Sequence, residues 1–148
     1  MPFHFPLQTV LHYHESLEHQ QELRLRAANQ QVARVRRIID HLGARMQDLH
    51  DSRARELATG TTAAEVRFHE LRKSAFERQR HELECELQRL QTLRDEQQKL
   101  FVEARRRAET LAGLSEAQRR AYERRSDRRE QRRLDEAFLL RRTYLQRG

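Results

Sequence analysis

The sequence predicts an all-α protein: a long antiparallel two-helix coiled-coil hairpin with an overhanging C-terminal helix that is kinked or restarted near its base. Three observations predict it. Apolar residues recur at alternating spacings of three and four through most of the chain. Helix breakers are scarce, with four glycines and two prolines among 148 residues, and no proline after Pro6. Charged residues reach 36%, against roughly a quarter in an average domain, which leaves too little apolar surface for a multilayer core. Sheets need turns rich in Gly, Pro, Asn and Asp, and disordered tails are rich in Pro, Gly and Ser. Neither composition is present.

The first helix is expected over residues 7–58. Pro6 suits a first helical turn, where its missing N–H is not needed. From Leu25 the series Ala28, Val32, Val35, Ile39, Leu42, Met46 and Leu49 forms an unbroken a/d heptad seam. Read backwards, the same register passes through Gln21, Glu18, His14, Leu11 and Leu7, so the seam becomes more polar towards the N-terminus. It stops at Ala58-Thr59-Gly60-Thr61-Thr62, the strongest interior loop signal, and the turn is placed at 59–62. Gly60 can take the left-handed conformation that closes a helix. Thr62, with Glu65 three residues on, reads as a capping box opening the second helix.

That second helix is expected over 63–113. Its seam runs Phe76, Arg80, Leu83, Leu87, Leu90, Arg94, Gln97, Phe101, Ala104, Ala108 and Leu111. Arg80, Arg94 and Gln97 interrupt it and predict a weak or locally open stretch. Leu7–Ala58 and Thr62–Gly113 each hold 52 residues, or about 78 Å of helix at 1.5 Å per residue. Equal amphipathic arms around a short linker make an antiparallel hairpin, with partner residue numbers totalling about 120. Gly113 and Ser115 mark a softer break, since Gly costs a helix roughly 1 kcal/mol against Ala. A basic helical extension over 115–144 follows, with no arm left to pair with. The length is that of one domain, residues 1–148.

Charge is uneven. The chain carries 30 basic and 23 acidic residues. Eleven arginines but only six acids fall between Ser115 and Gly148. Arg119, Arg120, Arg124, Arg125, Arg128, Arg129, Arg132 and Arg133 follow one another at about one helical turn, so like charges stack. Such a run is either a solvated face or a surface awaiting an acidic partner. Only Tyr122 interrupts it with an aromatic ring, which leaves no stacking platform for nucleic-acid bases. Beyond it Leu134, Ala137, Phe138 and Leu145 make a short apolar face, able to dock on a partner or on the hairpin. Val10, Leu17, Ile38, Leu93 and Leu100 occupy g positions and form a half-exposed apolar strip, with Leu17 expected near Leu100. Such a strip is either a wide seam or a binding surface.

The remaining chemistry is sparse. Eight histidines are present, and His50 could face His69, or His41 approach His81, but no pair has HExxH spacing. Cys85, the one cysteine, allows no disulfide within the chain. Set between Glu84 and Glu86, it has no neighbouring base suited to a nucleophile. No Gly-rich phosphate cradle occurs, and a two-helix rod offers no enclosed catalytic pocket. The expectation is a non-enzyme without cofactor or metal. No apolar run is long enough to cross a membrane, and the N-terminus does not read as a secretory signal, so a cytosolic protein is the default.

Both ends resemble one family. Phe3-His-Phe5-Pro6-Leu7-Gln8-Thr-Val10-Leu11-His-Tyr13, with Glu18 downstream, is similar to the start of flagellar FliJ proteins. Arg128-Arg129-Glu130-Gln131-Arg132-Arg133-Leu134-Asp135-Glu136-Ala137 is similar to their other end, and a coiled coil of matching length lies between. The density of Arg after Ser115 is a departure. The resemblance implies a cytoplasmic part of the bacterial flagellar type III export apparatus, peripherally associated with the inner face of the cell membrane at the flagellar base. It implies an antiparallel coiled coil like the central stalk of rotary ATPases. Its partners would be the hexameric export ATPase, the cytoplasmic domain of the export-gate membrane protein, and export chaperones. Candidate partner-binding residues are Phe3, Phe5, Val10, Leu17, Leu93, Leu100, Arg124, Arg125, Arg128, Arg129, Arg132, Arg133 and Phe138. A stalk of a virulence secretion system, a basic coiled coil binding nucleic acid, and a generic scaffold rod remain the alternatives.

Overall fold

The computed structural model describes residues 2–148. Among them are two helices and no strand: α1, Gln8–Thr59, and α2, Ala63–Gln146. They pack against each other as a helical hairpin. The chain divides into two compact units, Met1–His19 with Glu103–Gly148, and Gln20–Val102.

In the Gln20–Val102 unit the seam is the one the periodicity predicts. Val32, Leu42 and Leu90 are buried, at 2%, 3% and 8% exposure. Leu25, Ala28, Val35, Ile39, Met46, Leu49, Leu83 and Leu87 are half-buried around them. The helices are antiparallel: Gln21 meets Gln97, Arg45 lies 5.5 Å over the Phe76 ring, and Arg53 pairs with Glu70. These partner numbers total about 120, as equal arms require.

The stretch expected to open near Gln97 is closed instead. The Gln97 side-chain amide donates to the Gln21 side-chain oxygen, and reaches the Gln21 backbone carbonyl at 3.4 Å. Two amides facing across a seam satisfy each other, and a polar layer of this kind sets register at some cost in stability. Replacing both, Gln21→Leu with Gln97→Leu, is therefore expected to stabilise the hairpin by about 1–2 kcal/mol in a thermal melt. Gln97→Leu alone should gain little, because it strands the half-buried Gln21 amide. Arg94 is likewise drawn partly into the seam, while Arg80 stays exposed and pairs with Glu84 at 3.0 Å.

The turn follows from its residues. Gly60 has φ of 93°, a conformation that side chains with a Cβ resist. Thr62 and Glu65 form the reciprocal capping box: the Glu65 N–H donates to Thr62 Oγ1 at 3.3 Å, and the Thr62 N–H donates to Glu65 Oε2 at 3.1 Å. The Thr61 hydroxyl donates to the same carboxylate at 2.6 Å. The Thr61 hydroxyl first, and then the Thr62 N–H, hold the Glu65 carboxyl below the ordinary glutamate range. A carboxylate in the first turn also faces the positive end of the helix dipole.

In the other unit Phe5, Leu11, Ala104 and Ala108 are buried. Pro6 and Leu7 form a turn ahead of α1, with the Gln8 N–H donating to the Phe5 carbonyl at 3.1 Å. Phe5 ahead of α1 and Leu11 on it thus accompany alanines one turn apart on α2, an arrangement that lets a two-helix seam interdigitate. The break expected at Gly113–Ser115 does not form: α2 is helical through both residues. One glycine costs roughly 1 kcal/mol, which is too little to end a helix whose neighbouring turns, at Ala108, Leu111 and Ser115, are packed.

Candidate functional site

Within the unit of Met1–His19 and Glu103–Gly148, packing on α2 ends at Tyr122. The Phe3 and Tyr122 rings stand 5.7 Å apart between centroids, and both residues are half-buried. Phe5 is 3% exposed, so its ring closes this unit and is not shown to a partner. That removes it from the surface candidates. Every residue from Glu123 to Gly148 is exposed, and α2 stays helical to Gln146. The apolar side chains of the extension are thus exposed along with its arginines.

The arginines of this arm fall into two groups. Arg119 bonds both Glu116, at 2.9 Å, and Glu123, at 3.1 Å, and Arg120 reaches Glu116 at 3.0 Å. Hydrogen bonds from Arg119 and then Arg120 hold the Glu116 carboxyl below the usual range, and Glu116 in turn raises Arg119. These two arginines are neutralised by their own helix. Among the described residues, Arg124, Arg125, Arg128, Arg129, Arg132 and Arg133 meet no carboxylate. Asp127 and Glu130, which lie along the stripe, do not engage them. Six guanidinium groups on three turns of exposed helix make a concentrated positive field.

The apolar strip is displayed in both units. Val10 is exposed and Leu17 half-buried in one, and Ile38, Leu93 and Leu100 are exposed in the other. Phe138, at 66% exposure, stands on the free arm with Leu134 and Leu145. Leu139, Leu140 and Tyr144 are exposed there too, outside the short apolar face read from the sequence, although Leu139 falls on the continued heptad register of α2.

A groove in the Gln20–Val102 unit also escaped it. The groove encloses about 480 Å³ between Gly43, Met46, Leu57 and Phe76, with Arg53, His69, Lys73 and Arg80 among its walls. The signal was present: read backwards from Phe76, the α2 seam passes through Lys73 and His69, whose polar ends do not fill a seam. His50 and His69 both line this groove, but His69 Nε2 bonds the Glu56 carboxylate. His81 lies on the Cys85 sulfur at 3.7 Å, one turn before it on the same exposed face. Cys85 thus does have an imidazole neighbour, supplied by helical spacing that the flanking residues conceal. Among the described residues, no group of three or more metal-ligating side chains forms. No helix of the described residues is long and apolar enough to cross a membrane.

Comparison with curated proteins and with solved structures gives no match. The family model described as Flagellar FliJ protein matches residues 3–148. With that match spanning the hairpin and the free arginine arm alike, the chain belongs to the FliJ family and is a component of the flagellar export apparatus.

Proposed function

We propose that this chain is the coiled-coil stalk of the flagellar export ATPase. In this reading it binds the hexameric ring, promotes ring assembly and activity, and contacts the cytoplasmic domain of the export gate. Export chaperones are further partners, and the protein works at the inner face of the cell membrane at the flagellar base. Arg124–Arg133 and Phe138 face the ring, helped by Phe3 and the strip of Val10, Leu17, Leu93 and Leu100. The middle of the hairpin faces the gate.

The observation that supports this best is the arm from Glu123 to Gln146. It is helical, exposed throughout, and carries six arginines without a carboxylate partner. Like charges at neighbouring turns destabilise an isolated helix, so the arm gains most from a partner that supplies acid. An acidic protein ring does so, and attraction between opposite fields speeds its docking.

Titrating the full chain into the export ATPase of the same organism tests the reading through ATP hydrolysis. Stimulation that saturates near one chain per hexamer is expected. Absence of both binding and stimulation would return the chain to a scaffold role within the apparatus. Steeply salt-dependent DNA binding in its place would favour a nucleic-acid partner.

A further inference from the structure

The end of α2 carries a second surface on the side opposite the hairpin seam. The seam of α2 runs in register from Leu111 through Ser115 and Tyr122, and would continue as Arg125, Arg129, Arg132, Glu136 and Leu139. Leu134, Phe138 and Leu145 project roughly half a turn away from the mean direction of these positions, on the outer face of the helix. Extending the coiled coil would not cover them. Phe138 and Leu145 are 66% and 84% exposed, and Tyr144 beside them 87%.

Two features say what fits this face. From Ala137 onward the arm holds Arg141, Arg142 and Arg147 and no Asp or Glu, so the occupant is anionic. Arg141 lies inside the apolar stripe, three residues after Phe138 and four before Leu145. A protein groove that took these apolar side chains would have to bury that guanidinium with a matched acid. At a bilayer surface the same side chain extends along its aliphatic stem to the phosphates, while its neighbours enter the acyl boundary. An exposed helix with Leu134, Phe138 and Leu145 on one side, Tyr144 at its margin and arginines nearby has the composition of an interfacial helix, and Leu139 and Leu140 are exposed on its other side.

We infer that the outer face of the α2 end, centred on Leu134, Phe138 and Leu145, lies in the interface of an anionic lipid bilayer, with Arg141, Arg142 and Arg147 on its phosphates. This deepens the membrane-proximal location proposed above and rests on it only for where lipid is met. Phe138 then serves two surfaces in turn, the bilayer before docking and the ATPase ring afterwards. The two are mutually exclusive, so anionic vesicles should lower ATPase stimulation.

Flotation of the full chain with vesicles tests the inference without any partner protein. Binding to phosphatidylcholine vesicles holding one quarter phosphatidylglycerol is expected to exceed binding to pure phosphatidylcholine at least about tenfold. Phe138→Ser with Leu145→Ser should weaken it by about tenfold or more. Arg141→Gln, Arg142→Gln and Arg147→Gln together should remove the preference for anionic lipid. All these side chains are exposed, so helicity by circular dichroism should hold in each variant. Equal binding to both vesicle types would overturn the inference, as would no binding or an unaffected Phe138→Ser/Leu145→Ser variant. Loss of ATPase docking by that variant, without any vesicle binding, would assign the face to a protein groove and likewise overturn it. Failure of the membrane location itself would be seen separately, as a chain that binds anionic vesicles yet stays with the supernatant when cell membranes are sedimented.

Discussion

Reversing Arg124, Arg125, Arg128 and Arg129 together to Glu should bring ATPase stimulation down to the basal rate and weaken ring binding by about a hundredfold or more. These four guanidinium groups are exposed and meet no carboxylate of the described chain, so the hairpin does not depend on them. Charge pairs formed across an interface can each carry several kcal/mol of coupling. Four reversals convert attraction into repulsion over two helical turns. The variant should fold at least as well as the natural chain. New carboxylates at 128 and 129 would stand four residues before Arg132 and Arg133, the favourable orientation for i,i+4 pairs, each worth about 0.2–0.5 kcal/mol. Circular dichroism should thus be unchanged while hydrolysis in the titration stays flat. Full stimulation by a folded variant would move the ATPase contact off the arm. Arg119→Glu is the internal comparison: its charge is already held by Glu116 and Glu123, so it should disturb the local helix more and ring binding less.

The second large effect is on the fold. Val32 is 2% exposed at the middle of the seam, and Val32→Asp would place a carboxylate there without a partner. Burying an unpaired charge costs several kcal/mol, a large share of the roughly 5–15 kcal/mol that holds a domain together. The hairpin should melt at least about 15 °C earlier, or be unfolded at the growth temperature, as read by helical ellipticity against temperature. Ile38→Asp, six residues on, is the control. Ile38 is 41% exposed, and its carboxylate would be solvated, so a change within about 1 kcal/mol is expected. A melt as severe as that of Val32→Asp would mean that the g-position strip is buried against a further surface in solution. Unfolding of the Val32→Asp hairpin should also abolish ATPase stimulation with every arginine in place. This separates the scaffold from the contact.

Much of this architecture was legible from residue spacing. The a/d series from Leu25 to Leu49 and from Phe76 to Leu111 named the seam residues, and Gly60 with the Thr62–Glu65 box located the turn. These are local signals: helical periodicity follows from 3.6 residues per turn, and capping from the groups a helix end leaves unsatisfied. Each can be read within a few residues. The arginine run and the end motifs were equally local, and the motifs already resembled the family that the whole-chain match established.

What depended on the partner helix was not legible. Gln97 read as a gap until Gln21 was found facing it, because whether a polar seam residue opens or closes a coiled coil is decided by what lies across it. Phe5 read as surface beside Phe3, yet only Phe5 is fully covered. Gly113 read as a break, yet neighbouring packing carries the helix through it. The groove by Phe76 arises where Lys73 and His69 occupy seam positions. The division of the arm into Arg119 and Arg120, held by Glu116, and six arginines without a carboxylate depended on which rotamers met. The sequence by itself determined that the chain is a helical hairpin with a basic overhang, since that needs only periodicity and charge. The tertiary structure decided which polar and aromatic residues are consumed by packing and which remain to meet a partner, since burial is a property of two surfaces and a single helix carries only one.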